Sequence, residues 1–436
     1  MNFAGGHFPV AVIGGGQAGL SASFCLRERG IEHIVLEAHQ LAHDWRSRRW
    51  DSFCLVTPNW QCSLPGFPYR GQDPDGFMRR DAVVSYLEAY AAHFRPPVVE
   101  GVRVTRLRRT GTGMYQLDTT AGELTAEQVV VATGAYHTPS TPRIAERLPG
   151  AVHQLHSADY RSPDALPAGA VLVVGSGQSG AQIAEDLHLA GRQVHLAVGS
   201  APRVARRYRG RDCVAWLADM GHYAKTIDEF SDAEGVRKRV NHYVTGRDGG
   251  RDIDLRAFAV QGMRLYGRLT GIVGGRVEFD ADLKRNLDAA DAVAESIKDA
   301  IDRHIEARGI DAPEEPQYVP VWAPDPVCQP RRLELAAAGI TSVIWSTGFR
   351  ADYRWIEVPV FDGRGYPTHW RGVTSAPGLY FLGLPWQHTW GSGRLEAVGR
   401  DAAYLAERID AAGRRTDVCG ALTGSAPALP AGPLMS

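Results

Sequence analysis

Short, unbroken apolar runs set the rhythm of this chain. The runs at 10–13, 33–36, 128–131, 171–174, 193–198, 342–345 and 378–384 are too short for core helices and rich in valine, isoleucine and leucine. They predict strands covered on both faces, as in a parallel sheet. Between them the period changes. The stretch 81–91 carries apolar groups at three- and four-residue spacing behind Asp81, which predicts an amphipathic helix with an acidic N-cap. Val293, Ile297, Ile301 and Ile305, with Gly309 behind them, predict a second helix with a glycine stop, and a third is expected over about 394–409. Weaker strands near 102–104, 115–119 and 122–125 predict a small antiparallel excursion, and the glycines between 267 and 275 another. The class is α/β.

Two of the apolar runs lead into the same turn. The first is followed by Gly14-Gly15-Gly16-Gln17-Ala18-Gly19 and the second by Gly175-Ser176-Gly177-Gln178-Ser179-Gly180, each opening a helix. In such a strand, G-x-G-x-x-G, helix unit the first glycine makes the tight turn and the second lets backbone N–H groups approach a pyrophosphate. The third lets helix and strand pack closely, so that phosphate meets a positive helix end. After the first copy, the strand at 33–36 ends at Glu37, a carboxylate placed to accept ribose hydroxyls. In the second copy Val198 takes that offset, and Gly199, Ser200, Arg203, Arg206 and Arg207 follow. Losing the acid and gaining a hydroxyl and guanidinium groups suits a 2′-phosphate, so NADPH is expected there, with Arg203 foremost.

Two such sites in one chain suit a prosthetic FAD and a reducing pyridine nucleotide, because hydride passes directly between stacked rings. Further cofactor-side candidates are the turn Ala132-Thr133-Gly134, Gly383 after the last apolar run, and Trp45, Arg46 and Trp50, whose planar groups can stack on a flat ring or clamp a phosphate. The expected layout is a discontinuous FAD domain, 1–164 and 331–418, with an NADPH domain, 165–330, inserted into it. The segment 208–330 is partly helical, and the tail at 419–436, rich in Ala, Pro, Gly and Ser, is expected to be disordered.

Composition narrows the partners. With 48 basic and 49 acidic side chains the net charge is −1, so no global field draws nucleic acid or anionic lipid. No apolar run reaches membrane-span length and the N-terminus enters the first strand directly, so a cytoplasmic protein is expected. The 6 cysteines contain no C-x-x-C pair, which disfavours a zinc ribbon or a dithiol relay. Whether the chain forms a homo-oligomer stays open.

Both glycine turns, the segment Leu155-His156-Ser157-Ala158-Asp159-Tyr160-Arg161 and Ala132-Thr133-Gly134-Ala135-Tyr136 resemble the two-Rossmann class B flavoprotein monooxygenases, the flavin-containing monooxygenase and YUCCA branch in particular. That resemblance implies bound FAD, NADPH as reductant, and a C4a-(hydro)peroxyflavin that oxygenates a small organic substrate with O2. The family signature F-x-G-x-x-x-H-S-x-x-Y is matched at His156, Ser157 and Tyr160, but no Phe lies two before Gly150, and five residues instead of three separate Gly150 from His156. By the same resemblance Asn59, after Thr57-Pro58, falls where the family places an asparagine beside the oxygenated flavin. His388, among Trp60, Trp386, Gln387 and Trp390, is the candidate for tuning its protonation. Two alternatives remain: an NADPH-dependent flavin reductase that does not oxygenate its substrate, and a non-catalytic flavoprotein redox sensor.

Overall fold

A computed structural model describes residues 4–325 and 329–423. Its first sheet is built on strand His7–Ile13, which is flanked in parallel by His33–Leu36 on one side and Gly122–Val131 on the other. Val98–Val99 extends one edge in parallel. Gly122–Val131 serves two partners: its first half closes an antiparallel meander with Tyr115–Thr119 and Val104–Arg109, and its last three residues pair in parallel with Leu379–Phe381. The excursion expected at 122–125 and the strand expected at 128–131 are therefore one continuous strand. Its burial alternates at first and becomes complete over Gln128–Val131, where it enters the parallel sheet.

Helices Gln17–Glu28, Arg80–Phe94 and Val398–Thr423 cover one face of this sheet with an apolar layer including Leu20, Leu87 and Leu405. The helix predicted behind Asp81 starts one residue earlier, and Asp81 pairs with Arg80 in its first turn. The last helix runs through residues 419–423, which the sequence reading assigned to a disordered tail; the rest of that tail, 424–436, lies outside the described residues.

The second sheet is wholly parallel, in the order His153–His156, Ile340–Trp345, Ala170–Val174, Val194–Ala197, Arg264–Tyr266. Two of these strands correct the expected domain boundaries. His153–His156 and Ile340–Trp345 were assigned to the first unit, within 1–164 and 331–418, yet both hydrogen-bond into the second sheet. The physical reason is that the largely apolar Ile340–Trp345 carries no mark of which sheet will bury it, and the polar edge strand His153–His156 shows no strand pattern at all. The segment 208–330 supplies short helices, the hairpin Leu269–Val273 with Arg276–Phe279, and the long helix Leu283–Arg308, which ends at Gly309 in the left-handed region (φ 61°).

The two units are tied at one buried carboxylate. Asp186, on helix Gln178–Leu189, accepts from Ser52 Oγ (2.5 Å), Tyr160 OH (2.7 Å) and Arg247 Nη1 (2.5 Å). One side chain thus joins the first unit, the connecting segment and the insert.

Candidate functional site

Each glycine turn has the stereochemistry its sequence requires. Gly14 (φ 112°) and Gly175 (φ 101°) sit where a Cβ would lie 2.7 Å from the Ala132 carbonyl oxygen and 2.6 Å from that of Ser346. A Cβ on Gly19 or Gly180 would collide with the carbonyl oxygen of Gly14 or Gly175, so helix and strand can meet this closely only through glycine. Gly16 is different, because a Cβ there would meet nothing within 4 Å. Its backbone faces open space at the N-cap of helix Gln17–Glu28, as a seat for an anion demands. At Gly177 the corresponding space is approached by Val240, whose Cγ1 would lie 3.5 Å from the Cβ.

Beside each turn a buried hydroxyl lacks a partner. Thr133 follows strand Gly122–Val131 beside the first turn, and Ser346, whose Cβ lies against Gly175 and Gly180, stands beside the second; Thr133 Oγ1 and Ser346 Oγ are the two hydroxyls. Buried hydroxyls are normally satisfied, so these two orphans mark places where a bound ligand would complete the bonding. Ser346 was not singled out in the sequence. The available sign was that Ser346-Thr347-Gly348 repeats Ala132-Thr133-Gly134 at the end of a buried strand.

The first turn is held from three sides. Glu37 accepts from Gly15 N (2.6 Å) and His39 N (2.9 Å), leaving further lone pairs on each oxygen. Gln17 accepts from Trp45 Nε1 (3.1 Å) and donates to Gly393 O (3.1 Å). Gly383 (φ 89°) is required because a Cβ there would lie 2.8 Å from that of Ala18. In the second turn Gln178 donates to Val244 O (2.6 Å), Ser176 Oγ accepts from Gly199 N (3.0 Å), and Ser179 and Ser200 are partly buried and exposed respectively.

Five expected site residues are placed elsewhere. Arg203 is 4% exposed, ion-paired to Asp291 (2.5 Å) and stacked over Tyr318, so its guanidinium is not offered to a 2′-phosphate. Arg206 is likewise buried, on Asp212 and Val56 O. Arg46 points outward to Glu88. Trp50 is buried in the second unit's core against Tyr160. Asn59 is buried, with Nδ2 donating to Asp73 O (2.9 Å) and Oδ1 accepting from Met78 N (2.9 Å), so its amide braces its own loop. The ring of His388 feels Arg371, Asp401 and Asp228, and burial holds its pKa below the ordinary value.

A chain of contacts links the two turns. Gly393 is bonded to Gln17 of the first turn, its neighbour Arg394 donates to Asn241 Oδ1 (2.9 Å), and Val240 beside Asn241 lies against Gly177 of the second. Insert and first unit also pair directly, with Ile227 N donating to His388 O (2.7 Å). A surface hollow lined by Thr368, Trp370, Tyr404 and Arg408 contains no residue of either turn.

Residues 11–241 match the family model described as pyridine nucleotide-disulphide oxidoreductase. An uncharacterised CzcO-like oxidoreductase of Geobacillus kaustophilus is 33% identical over 410 residues, covering 92% of this chain and 97% of that protein. The indole-3-pyruvate monooxygenase YUCCA1 of Oryza sativa is 33% identical over 201 residues, 45% of this chain and 49% of the relative. Among solved structures, a flavin-containing monooxygenase from Stenotrophomonas maltophilia superposes with a TM-score of 0.63 at 22% identity, covering 93% of this chain and 98% of that one. The bacillithiol disulfide reductase of Staphylococcus aureus superposes with a TM-score of 0.58 at 13% identity, again covering 93% and 98%.

Proposed function

For this chain, which belongs to the pyridine nucleotide-disulphide oxidoreductase family, we propose an FAD-containing, NADPH-driven monooxygenase of the class B type that oxygenates a small organic substrate. The observation that carries this reading is the pair of glycine turns, linked through Gly393, Arg394 and Asn241, each with an orphaned buried hydroxyl beside it; we take the region between them as the cofactor and substrate cleft. We assign FAD to the first turn, with its pyrophosphate over Gly16, Thr133 Oγ1 as an added donor and Glu37 toward ribose. NADPH takes the second turn, over Gly177, with Ser346 Oγ as donor and exposed Ser200 at the strand end. The absence of an acid at Val198 leaves nothing to repel a 2′-phosphate.

When bound, the flavin accepts hydride from the nicotinamide and passes electrons to oxygen. The protein's part is positional. Gln17 and Gln178 fix the loops that close over each turn, and Asp186 holds the two units at one separation, which a direct transfer between rings requires. Trp386 packs edge-on against Phe230 of the insert (5.5 Å), and Trp390 packs on Tyr223 (4.6 Å), so aromatic surface from both units keeps water out of the cleft.

A dithiol relay, the other chemistry in the family's name, finds no support among the described cysteines. Cys25, Cys54, Cys62 and Cys213 are buried and unpaired, and burial pushes the thiols of Cys25, Cys62 and Cys213 up to about 12, far from a reactive thiolate. The decisive experiment is turnover of the FAD-loaded protein with NADPH under ¹⁸O₂ against a panel of amines, sulfides, ketones and organic acids. One labelled oxygen atom in an organic product, with NADPH consumed in proportion, is expected. Hydrogen peroxide as the only oxygen product across the panel would refute oxygenation and favour a flavin reductase.

A further inference from the structure

Arg394 sits between the two turns, and no carboxylate of the described residues is within ion-pair distance of it, although Glu396 acts on its charge at longer range. The guanidinium lies 3.2 Å from the centre of the Trp390 ring, and Trp390 in turn packs on Tyr223 at an interplanar angle of 32°. Nη2 donates to the neutral carboxamide of Asn241 (2.9 Å), while Nη1 is buried with no partner. Among the described residues no carboxylate pairs with it. Glu396, two residues on, is bonded to Arg400 (2.9 Å) instead, and burial raises its carboxyl pKa.

None of the other described titratable groups around Arg394 makes a hydrogen bond to its guanidinium. Burial lowers the pKa of His222 and brings that of His242 down to about 4, and it raises the Tyr223 phenol. The arginine itself is pushed down to about 10 by burial. An unpaired, desolvated cation is costly, and a protein retains one most readily where a ligand brings the opposite charge.

We infer that Arg394 is the specificity-determining receptor for the carboxylate of a small organic-acid substrate. A guanidinium offers two parallel donors to a carboxylate, and here Nη1 is the one left free. Asn241 aims the fork and Trp390 backs its face. The inference deepens the proposed function and rests on the cleft being the substrate site.

The test is a titration of the FAD-loaded protein, with NADP+ present, by phenylacetate and by its neutral isostere phenylacetamide, read as a change in the bound flavin's absorbance. The acid is expected to bind about tenfold or more tightly than the amide. R394Q should abolish that preference by weakening the acid alone, and R394K should restore part of it. Both variants are compared at equal flavin content, which reports folding. Equal binding of acid and amide by the wild type, no response to the acid, or an R394Q that weakens NADP+ as much as the acid would each overturn the assignment. Bleaching of the wild-type flavin by NADPH tests the proposed function separately, so the two can fail independently.

Discussion

The open space at Gly16 makes a sharp prediction about Gly16→Ala. The backbone there is extended, with φ −82° and ψ −172°, a conformation alanine adopts freely, and the new Cβ would touch no protein atom within 4 Å. Two small effects on the apoprotein oppose each other. Alanine is a poorer N-cap than glycine, but it lowers the entropy of the unfolded chain by about 0.4–1 kcal/mol. Apoprotein stability should therefore stay within about 0.5 kcal/mol of wild type. FAD faces a different situation, because the methyl occupies the volume its pyrophosphate needs. Overpacking by one carbon costs about 1–3 kcal/mol, which weakens FAD about 5- to 150-fold. Flavin fluorescence titration of deflavinated protein measures the affinity, and thermal melting without flavin measures the fold. Gly19→Ala is the contrasting control, since its Cβ collides with the backbone of Gly14 and should lower the melting temperature even without ligand. Wild-type FAD affinity in a well-folded Gly16→Ala protein would refute the placement of the pyrophosphate.

Other perturbations test the framework. Asp186→Asn removes the charge that Arg247 meets at a carboxylate 3% exposed and keeps an acceptor for only one of Ser52, on Oδ1, and Tyr160, on Oδ2, and should cost about 2–3 kcal/mol; an unchanged melting temperature would show that the tie between the units carries no weight. Arg203→Ala should destabilise by about 3 kcal/mol, softened because Asp291 keeps Arg256 (2.8 Å), and should leave the NADPH:NADH preference unaltered; a collapse of that preference in a stable variant would restore Arg203 as a phosphate ligand. His195 is 6% exposed, and burial depresses its pKa from 6.5 to about 4. A group depressed in the folded state contributes stability that is complete above pH 6.5 and lost as pH falls to about 4, a change of about 3 kcal/mol. His195→Gln should flatten that acid limb in melts run across the same window, and an identical slope in both proteins would contradict the burial argument.

What could be read from the sequence divides along the range of the forces involved. The glycine turns were legible because most of their chemistry is local: Gly19 is required by the carbonyl of Gly14 five residues before it and Gly14 takes a left-handed φ within the turn, although the carbonyl of Ala132 that also excludes a Cβ from Gly14 comes from the end of a neighbouring strand. Sheet membership was not, because Ile340–Trp345 has the same apolar pattern as strands of either sheet and only its pairing with Ala170–Val174 assigns it. The arginines show the same limit more plainly. A sequence displays Arg203, Arg206 and Arg394 as equal cations, but their counterions come from elsewhere in the chain. Asp291, across 88 positions, neutralises Arg203, Asp212 neutralises Arg206, and Arg394 receives only a neutral amide from Asn241, 153 positions away. Asn59 was misread for a related reason, since Asp73 and Met78 engage both ends of its amide through a loop whose path no periodicity reveals. A charged side chain is available to a ligand only as far as the fold leaves it without an opposite charge at hand; Arg203 is committed to Asp291, whereas Arg394 has only the amide of Asn241 at hydrogen-bond distance, which is why the substrate-carboxylate role is proposed for Arg394.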